Sequence, residues 1–303
     1  MARPPRYERL ATERPNRASR ALDRLTAREI ARLMNREDHR AVRAVGRALP
    51  AVAAAVELIT AALGRGGRLF FVGAGTSGRL SVLEAAECPP TFGTPPALVQ
   101  AIMAGGRASV FRSREGAEDD AAAGARAVRR RVRAGDVVVG VTASGVTPFV
   151  RAALAAARRR RAETILVACN PTSRRAAAAR VVVAVAPGPE VLAGSTRLKA
   201  GTATKLVLNT LTTASLARLG RVYGNRMIDV QPRSRKLRAR ALRLVQELGG
   251  VSRERARRAL AAARGRVRVA VVVARTGLVA AAADRALRAA GGSLRRVLAG
   301  GRT

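Results

Sequence analysis

The stretch RLFFVGAGTSG, residues 68–78, predicts a buried β-strand, a tight glycine turn and the start of a helix. An unbroken apolar run before such a turn is typical of a parallel strand that is covered on both faces. Gly73, Gly75 and Gly78 form the pattern G-x-G-x-x-G, which joins strand to helix in nucleotide-binding βαβ units. The stretch therefore indicates an α/β protein.

The same alternation of apolar runs and helical segments continues along the chain. It predicts a doubly wound parallel sheet, in which ligands bind beyond the carboxyl ends of the strands. The further predicted strands are ALVQAIMAGG (97–106), DVVVGVTASG (136–145), TILVACNP (164–171) and VVVAVAPG (181–188). The predicted helices of this region cover about 77–86, 115–135, 147–161 and about 200–219.

The composition divides the chain into three regions. Residues 1–52 are Arg-rich with apolar residues at helical spacing, which predicts an N-terminal arm and helices, and residues 53–228 carry the predicted sheet. Residues 238–303 predict a small helical domain, with Ser252 as a helix N-cap. Within it, the run VAVVVARTG (269–277) fits either a helix or a strand.

The charge balance is extreme, with 57 Lys+Arg against 20 Asp+Glu and a net charge of +37. Such a balance suggests nucleic acid as a partner. However, the charge is spread along the chain, and aromatic residues, which stack on bases, make up only 2% of it. We therefore expect non-specific polyanion binding at low salt and no specific nucleic-acid partner.

Targeting and cysteine patterns point to a protein of the cytoplasm. The N-terminus lacks the apolar core of a signal peptide, and no run of about 18 apolar residues predicts a membrane span, so we expect no membrane partner. Cys88 and Cys169 form neither a disulfide framework nor a metal-binding spacing. We expect both to be reduced packing residues.

The glycine turn after the first strand has two interpretations. A dinucleotide site expects an acidic residue about 20 positions further on, and none lies between Pro89 and Arg114. Thr76 and Ser77 instead stand where free backbone N–H groups at a helix start bind a phosphate monoester. The alternative, that Thr76 or Ser77 only caps the helix, stays open for this loop alone.

Two further loops share the same small, hydroxyl-bearing composition. Ser144 and its neighbours follow the third strand, and the segment GSTRLKAGT (194–202) precedes a helix. Each loop alone fits simple turn chemistry, but three of them suit a sugar phosphate. The residues concerned are Thr142, Ser144, Gly145 and Thr147 in one loop and Ser195, Thr196 and Lys199 in the other.

Carboxylates provide the available acid–base chemistry. In EAAECPPT (84–91), Pro89 predicts that a helix ends near Cys88, with Glu87 at its end and Glu84, one turn earlier, as a solvated or capping carboxylate. Glu115 and Glu118 are predicted to open the next helix, where an acidic first turn also stabilises the helix by itself. The chain has a single histidine, His39, on a predicted polar helix. A pair of carboxylates is therefore the candidate acid and base.

Together these motifs resemble the N-acetylmuramic acid 6-phosphate etherase family of the sugar isomerase (SIS) superfamily. The resemblance runs from TERPN (12–16) to the helical tail, and its longest motifs are GAGTSGRLSVLEAAECPPTFG (73–93) and GSTRLKAGTATKLVLN (194–209). It implies an SIS-type parallel sheet and a sugar-phosphate-binding domain over 53–228. It also implies cleavage of the D-lactyl ether to N-acetylglucosamine 6-phosphate and D-lactate, in cell-wall amino-sugar recycling, without metal or organic cofactor.

The resemblance also implies a mechanism and a set of site residues. The reaction is an elimination from the ring-opened sugar followed by water addition, with Glu87 as the acid for the lactate oxygen and Glu118 as the base at carbon 2. Substrate contacts carried over by motif are Thr76, Ser77, Ser144, Ser195 and Lys199, and the loops add Gly75, Gly145, Thr147 and Thr196. The family is generally homodimeric. Two positions depart from it, with Val146 in place of a frequent Arg and Leu198 in place of Met.

Three other functions compete with this interpretation. A non-enzymatic sugar-phosphate sensor of the same superfamily keeps the hydroxyl loops but does not need Glu87. An aldose–ketose isomerase of the superfamily also removes a proton from carbon 2 but leaves an ether intact. A nucleic-acid regulator usually carries a helix-turn-helix ahead of the sugar domain, and residues 1–50 show no clear one.

Overall fold

The computed structural model describes residues 10–175, 179–230 and 234–300. Predictions that concern the start of the arm, residues 231–233 and the last three residues lie outside these ranges. The chain divides into two compact units, the first formed by Met1–Ala86 and Ala97–Thr212 and the second by Glu87–Pro96 and Thr213–Thr303. This division lies earlier in the chain than the predicted boundary between residues 228 and 238.

The first unit contains the parallel sheet that the apolar runs predict. Its strands are β1 (Leu69–Gly73), β2 (Val99–Met103), β3 (Val137–Thr142), β4 (Glu163–Ala168) and β5 (Val181–Ala184). They pair in the order β2-β1-β3-β4-β5, and every pairing is parallel. Every residue of β1 and β3 is buried, as a sheet covered on both faces requires. The predicted fold class is confirmed.

The order of the strands fixes where a ligand can bind. The chain passes from β1 to β2 on one side and then returns to β3 on the other side of β1, so the direction of winding reverses between β1 and β3. In doubly wound sheets a crevice opens at that point, outside the carboxyl ends of the two strands. The segments after Gly73 and after Thr142 therefore face one crevice.

Helices cover the sheet in the first unit. Two of them, α5 (Ala121–Arg131) and α6 (Pro148–Arg159), pack closely because Gly124 brings α5 against the backbone of Phe149, where an added Cβ would lie 2.2 Å from the carbonyl oxygen. The helices that begin in this unit are α1 (Ala27–Arg47), α2 (Leu49–Gly64), α3 (Gly75–Phe92), α4 (Ala108–Phe111), α5 (Ala121–Arg131), α6 (Pro148–Arg159) and α7 (Lys199–Arg218). In the described ranges no single helix is long and apolar enough to cross a membrane. The helices α1 and α2 reach the required length and composition only when they are taken together, and the chain bends by 61° between them.

The predicted end of α3 near Cys88 is wrong. The helix continues through Pro89 and Pro90 to Phe92. Both prolines lack an N–H group, so each removes only the bond to the carbonyl four residues earlier, while its fixed φ remains helical. The helix ends instead where Gly93, at φ +61°, adopts the left-handed conformation and donates its N–H to the oxygen of Pro89 at 2.9 Å.

The predicted helix start at Glu115 is also wrong. Gly116 has a φ of +75°, and Glu118 lies in the turn region ahead of the helix. The helix α5 begins at Ala121 because the Asp120 carboxylate accepts a hydrogen bond from the N–H of Ala123 at 2.7 Å, as an N-cap does. Glu115 and Glu118 therefore belong to a turn and not to a helix.

The second unit is mainly helical, as its sequence predicts. The ambiguous run 269–277 lies mostly in helix α10 (Val267–Thr276), whose residues Val269 to Val272 are buried in the core of this unit. Ser252 caps helix α9 (Arg253–Ala262) by accepting a hydrogen bond from the N–H of Arg255 at 3.3 Å, which confirms the predicted N-cap. The elements are the hairpin β6 (Val222–Tyr223) and β7 (Arg226–Met227), followed by α8 (Arg235–Gly249), α9 (Arg253–Ala262), α10 (Val267–Thr276), α11 (Ala280–Ala289) and α12 (Leu294–Gly300).

Candidate active site

A cavity of about 240 Å³ lies at the carboxyl ends of β1 and β3, where the order of the sheet reverses. We call it the hydroxyl cavity, because most of its polar wall consists of Ser and Thr side chains. It is lined by residues 74–77, 141–144 and 146–148, together with Leu10, Thr12, Glu13, Glu118, Asp119, Gly194 and Thr196. The three predicted hydroxyl loops are thus brought together at one place.

The turn after β1 supplies the start of a helix to this cavity. Gly75 has a φ of +53°, and α3 begins there, so Thr76 and Ser77 occupy its first turn. The first N–H groups of an α-helix have no acceptor within the helix, and the helix dipole adds a partial positive charge. Gly75, Thr76 and Ser77 all line the cavity. The arrangement suits a phosphate group.

The loop after β3 is held by its own hydroxyl groups. Thr142 Oγ1 lies 2.7 Å from Thr147 Oγ1 and 3.3 Å from Ser144 Oγ, and it accepts a hydrogen bond from the N–H of Gly145 at 3.2 Å. Gly145 itself is buried, with a φ of +80°, and an added Cβ would lie 1.9 Å from Ser173 Oγ. These hydrogen bonds therefore hold Ser144 and Thr147 in place without a ligand. The contribution of Gly145 is to the backbone conformation of the loop.

A second cavity, of about 570 Å³, adjoins the first. It shares Gly75, Thr76, Glu118 and Thr196 with the hydroxyl cavity and contains the predicted contact residue Ser195. It also has a cationic wall, and we call it the arginine cavity after Arg79, Arg114 and Arg197. An anionic group that extends from the hydroxyl cavity would meet these guanidinium groups.

Gly145 and Lys199 are the predicted contact residues that line neither cavity. The Lys199 side chain is buried, and its Nζ lies 2.6 Å from Glu37 Oε2 in α1. Burial by itself would raise the pKa of Glu37, but the hydrogen bonds from Lys199 and Asn16 outweigh it and hold that pKa below its ordinary value. The structure assigns the Lys199 ammonium to an internal ion pair and not to a ligand.

Glu190 is a buried carboxylate that the sequence analysis did not single out. It accepts hydrogen bonds from the backbone N–H groups of Lys199 and Ala200, each at 2.9 Å, and so caps the N-terminus of α7. Burial raises the pKa of Glu190, and the two backbone donors offset part of that rise. Because this carboxylate already occupies the helix start, the N-terminus of α7 is not a second phosphate site.

Glu118 lines both cavities, which places a carboxylate beside all three hydroxyl loops. Its backbone oxygen accepts the N–H of Phe149 at 3.0 Å, which ties the turn to the start of α6. Partial burial raises the pKa of Glu118, and the negative charges of Asp119 and Glu115 raise it further. A carboxylate with a raised pKa is a stronger base once it is ionised.

The other two glutamates of interest lie on α3. Glu87, the second predicted catalytic residue, belongs to the second unit, where it is an exposed residue near the end of the helix. Glu84 belongs to the first unit and is buried, with Oε2 2.7 Å from Lys205 Nζ and Oε1 accepting from Thr212 Oγ1 at 2.5 Å. The prediction of a solvated or capping carboxylate at Glu84 is therefore wrong, because α7 provides a cation and a hydroxyl for it.

The N-terminal arm contributes wall residues that the sequence analysis did not place in the site. Thr12 and Glu13 both line the hydroxyl cavity. The only signal in the sequence is the short motif TERPN (12–16), which on its own shows no spacing typical of a binding loop. In the described residues there is no group of three or more His, Cys, Asp or Glu side chains that could hold a metal ion.

Comparison with known proteins gives two domain matches and many relatives. The model of the glucokinase regulatory protein N-terminal SIS domain matches residues 51–158, and the SIS domain model matches residues 119–214. The N-acetylmuramic acid 6-phosphate etherase of Gloeobacter violaceus is 52% identical over 291 residues, which are 96% of this chain and 95% of that protein. The protein of the same name from a Synechocystis species is 50% identical over 290 residues, 95% of each chain.

A solved structure agrees with this chain in fold. A phosphoheptose isomerase from Francisella tularensis superposes with a TM-score of 0.50 and 16% sequence identity, over 63% of this chain and 98% of that one. At this identity the likeness concerns the arrangement of helices and strands alone. The match supports an SIS-type sheet for the part of the chain that it covers.

Proposed function

The chain belongs to the N-acetylmuramic acid 6-phosphate etherase family, and we propose that its hydroxyl cavity is where this sugar phosphate loses its lactyl ether. The products are N-acetylglucosamine 6-phosphate and D-lactate, and the enzyme is a carbon–oxygen lyase of cell-wall amino-sugar recycling. One observation carries the choice of site. Glu118, a carboxylate with a raised pKa, lines a cavity at the reversal point of the sheet together with residues of three hydroxyl-bearing loops.

The phosphate group binds at the start of α3. Thr76 and Ser77 offer backbone N–H groups and hydroxyl groups there, and Ser144 and Thr147 offer hydroxyl groups from the other side of the cavity. Ser195 and the guanidinium groups of the arginine cavity lie next to this place and suit the lactyl carboxylate, the second anion of the substrate.

The elimination uses one base and one acid. In the ring-opened sugar the proton on carbon 2 lies next to the aldehyde and is acidic, and the Glu118 carboxylate removes it. The electron pair of that C–H bond forms the C2=C3 double bond as the C3–O bond breaks, and Glu87 protonates the departing lactate oxygen. The role of Glu87 rests on the family resemblance.

Water then completes the reaction. Its hydroxyl group adds to carbon 3 of the unsaturated aldehyde, and its remaining proton restores the Glu87 carboxyl. The Glu118 carboxyl, protonated in the first step, exchanges that proton with solvent and then donates a proton to carbon 2. Atoms balance as the hydrolysis of one ether, without oxidation or reduction. The hydroxyl network of Thr142, Ser144 and Thr147 keeps the sugar in place while lactate leaves.

We also propose the assembly and location of the enzyme. Family resemblance supports a homodimer, and light scattering should then give about twice the chain mass of 31.8 kDa. Cys88 and Cys169 are both buried thiols, and burial raises the pKa of Cys169 to about 12, which keeps this thiol protonated and unreactive. Buried thiols that pack as apolar groups support a reducing compartment, the cytoplasm.

Two measurements on purified protein test the function. Wild-type protein should release D-lactate from N-acetylmuramic acid 6-phosphate, and deuterium from solvent should enter carbon 2 of the product. Glu118→Gln should abolish both signals, and Glu87→Gln should abolish lactate release while some exchange at carbon 2 persists. Sugar-phosphate binding without any lactate release would instead support a non-enzymatic sensor, and isomerisation with the ether intact would support an isomerase.

A further inference from the structure

The charged side chains that line the hydroxyl cavity are all acidic, whereas the chain as a whole is strongly basic. Glu13, Glu118 and Asp119 line it, and no Lys or Arg is among the described residues of its wall. The chain as a whole has 57 basic and 20 acidic side chains. The neutral hydroxyl and N–H groups account for phosphate binding, and the proposed mechanism uses Glu118. Neither phosphate binding nor proton transfer explains why Glu13 lies in this wall.

The arm that carries Glu13 is fixed on both sides of it. The oxygen of Thr12, a buried residue, accepts the N–H of Gly194 at 3.1 Å. The Asn16 amide, also buried, donates to Glu37 Oε2 at 2.9 Å and to the oxygen of Pro189 at 3.2 Å. The ion pair between Glu37 and Lys199 therefore anchors the arm to the start of α7. Glu13 is held over the cavity by these contacts and is not part of a loose terminus.

The position of the Glu13 carboxylate follows from Gly194, its neighbour in the wall. A Cβ added to Gly194 would lie 3.2 Å from Glu13 Oε2, so the carboxylate rests against the loop that also carries Thr196. Thr12 Oγ1 donates to the other oxygen, Oε1, at 3.1 Å. An ionised carboxylate accepts about four hydrogen bonds and donates none, so Glu13 has acceptor sites left for a ligand.

A carboxylate next to a doubly anionic substrate costs binding energy unless it accepts hydrogen bonds from that substrate. A ring-opened amino-sugar phosphate offers such donors in its hydroxyl groups. We propose that Glu13 is a substrate-binding residue that accepts hydrogen bonds from sugar hydroxyl groups. This inference rests on the proposed function for the identity of the sugar.

The test compares Glu13→Ala and Glu13→Gln with Asp23→Asn, a matched control that removes one negative charge from an exposed part of the same arm, outside both cavities. A hydrogen bond to a charged group predicts that KM for N-acetylmuramic acid 6-phosphate rises roughly ten-fold to a hundred-fold in Glu13→Ala. The rise should be smaller in Glu13→Gln, which keeps one acceptor oxygen. At saturating substrate, kcat and deuterium entry at carbon 2 should stay within about three-fold of wild type, and Asp23→Asn should match wild type throughout.

Binding of two inhibitors separates sugar recognition from damage to the site. Glu13→Ala should weaken binding of N-acetylglucosamine 6-phosphate by a factor similar to the rise in KM, while inorganic phosphate should bind all variants equally. Equal weakening of both inhibitors, or an unchanged KM, would overturn the proposal. Loss of kcat together with loss of deuterium exchange would overturn it as well, because Glu13 would then be an acid–base group. If wild-type protein releases no lactate, the proposed function fails, and the inhibitor data still decide whether Glu13 binds the sugar.

Discussion

At the scale of single residues, the site combines one carboxylate of raised pKa with neutral phosphate donors. The surroundings of Glu118 explain the raised pKa, since Asp119 and Glu115 add negative charge to a partly buried carboxyl. The family resemblance of the sequence predicted that Glu118 is the base, but the sequence pattern also predicted that Glu118 opens a helix, which is wrong. The turn geometry explains why Glu118 reaches two cavities instead of the surface of α5.

The pH dependence of proton removal follows from this pKa. Glu118 must be ionised to act as the base, so exchange at carbon 2 should decline as the pH falls through a pKa above the ordinary Glu value of about 4.3. Asp119→Asn and Glu115→Gln each remove a negative charge and should lower that pKa, so the acidic limb should move to lower pH, more for Asp119→Asn. A pH–rate profile of deuterium exchange measures this, and a limb that moves to higher pH would contradict it.

The buried ion pair of Lys199 and Glu37 gives a stability prediction. Lys199→Met removes the buried cation of Glu37 and leaves only the half-exposed Arg40 paired with this carboxylate, and the loss of a buried partner costs about 3–5 kcal/mol of unfolding free energy. Arg258→Met is the control, because Arg258 and Glu254 form an exposed pair on α9 and its loss should cost less than about 1 kcal/mol. Urea unfolding followed by circular dichroism measures both, and equal costs would show that burial is not the cause.

At the scale of secondary structure elements, apolar runs set which strands form, and single capping residues set where the helices begin and end. Continuous apolar runs predicted all five strands of the parallel sheet. The ends of α3 and α5 were predicted wrongly. Two prolines do not stop α3, since a helix tolerates the loss of two of its carbonyl bonds, and the Asp120 cap sets the start of α5.

Two glycine substitutions on helices should have opposite effects on stability. Gly124→Ala places a Cβ 2.2 Å from the carbonyl oxygen of Phe149, which forces α5 and α6 apart and should cost about 1–3 kcal/mol. Gly46→Ala on α1 meets no atom within 4 Å and should stabilise the protein by about 0.5–1 kcal/mol, because Ala loses less conformational freedom in a helix. Thermal unfolding of both variants measures the difference, and destabilisation by both would refute the packing explanation.

At the scale of the whole molecule, the net charge of +37 governs encounters with polyanions. Because this binding depends on counterion release, affinity for a DNA duplex of arbitrary sequence should fall at least ten-fold between about 50 and 200 mM salt. Fluorescence anisotropy with two unrelated duplexes measures it. Tight binding to only one of the duplexes at about 150 mM salt would instead indicate a specific nucleic-acid function.

The sequence by itself determined the α/β class, the run of strands, the family and the loops that carry hydroxyl groups, because strand burial and turn chemistry are local properties of neighbouring residues. Only the tertiary structure decided which polar side chains reach the cavity. It paired Lys199 with Glu37 and Glu84 with Lys205, brought Glu13 from the arm to Gly194 and placed Glu118 in a turn. The physical reason is that a charged side chain finds its partner through contacts between residues far apart in the chain, as between Glu37 and Lys199, and no local pattern of residues records those distances.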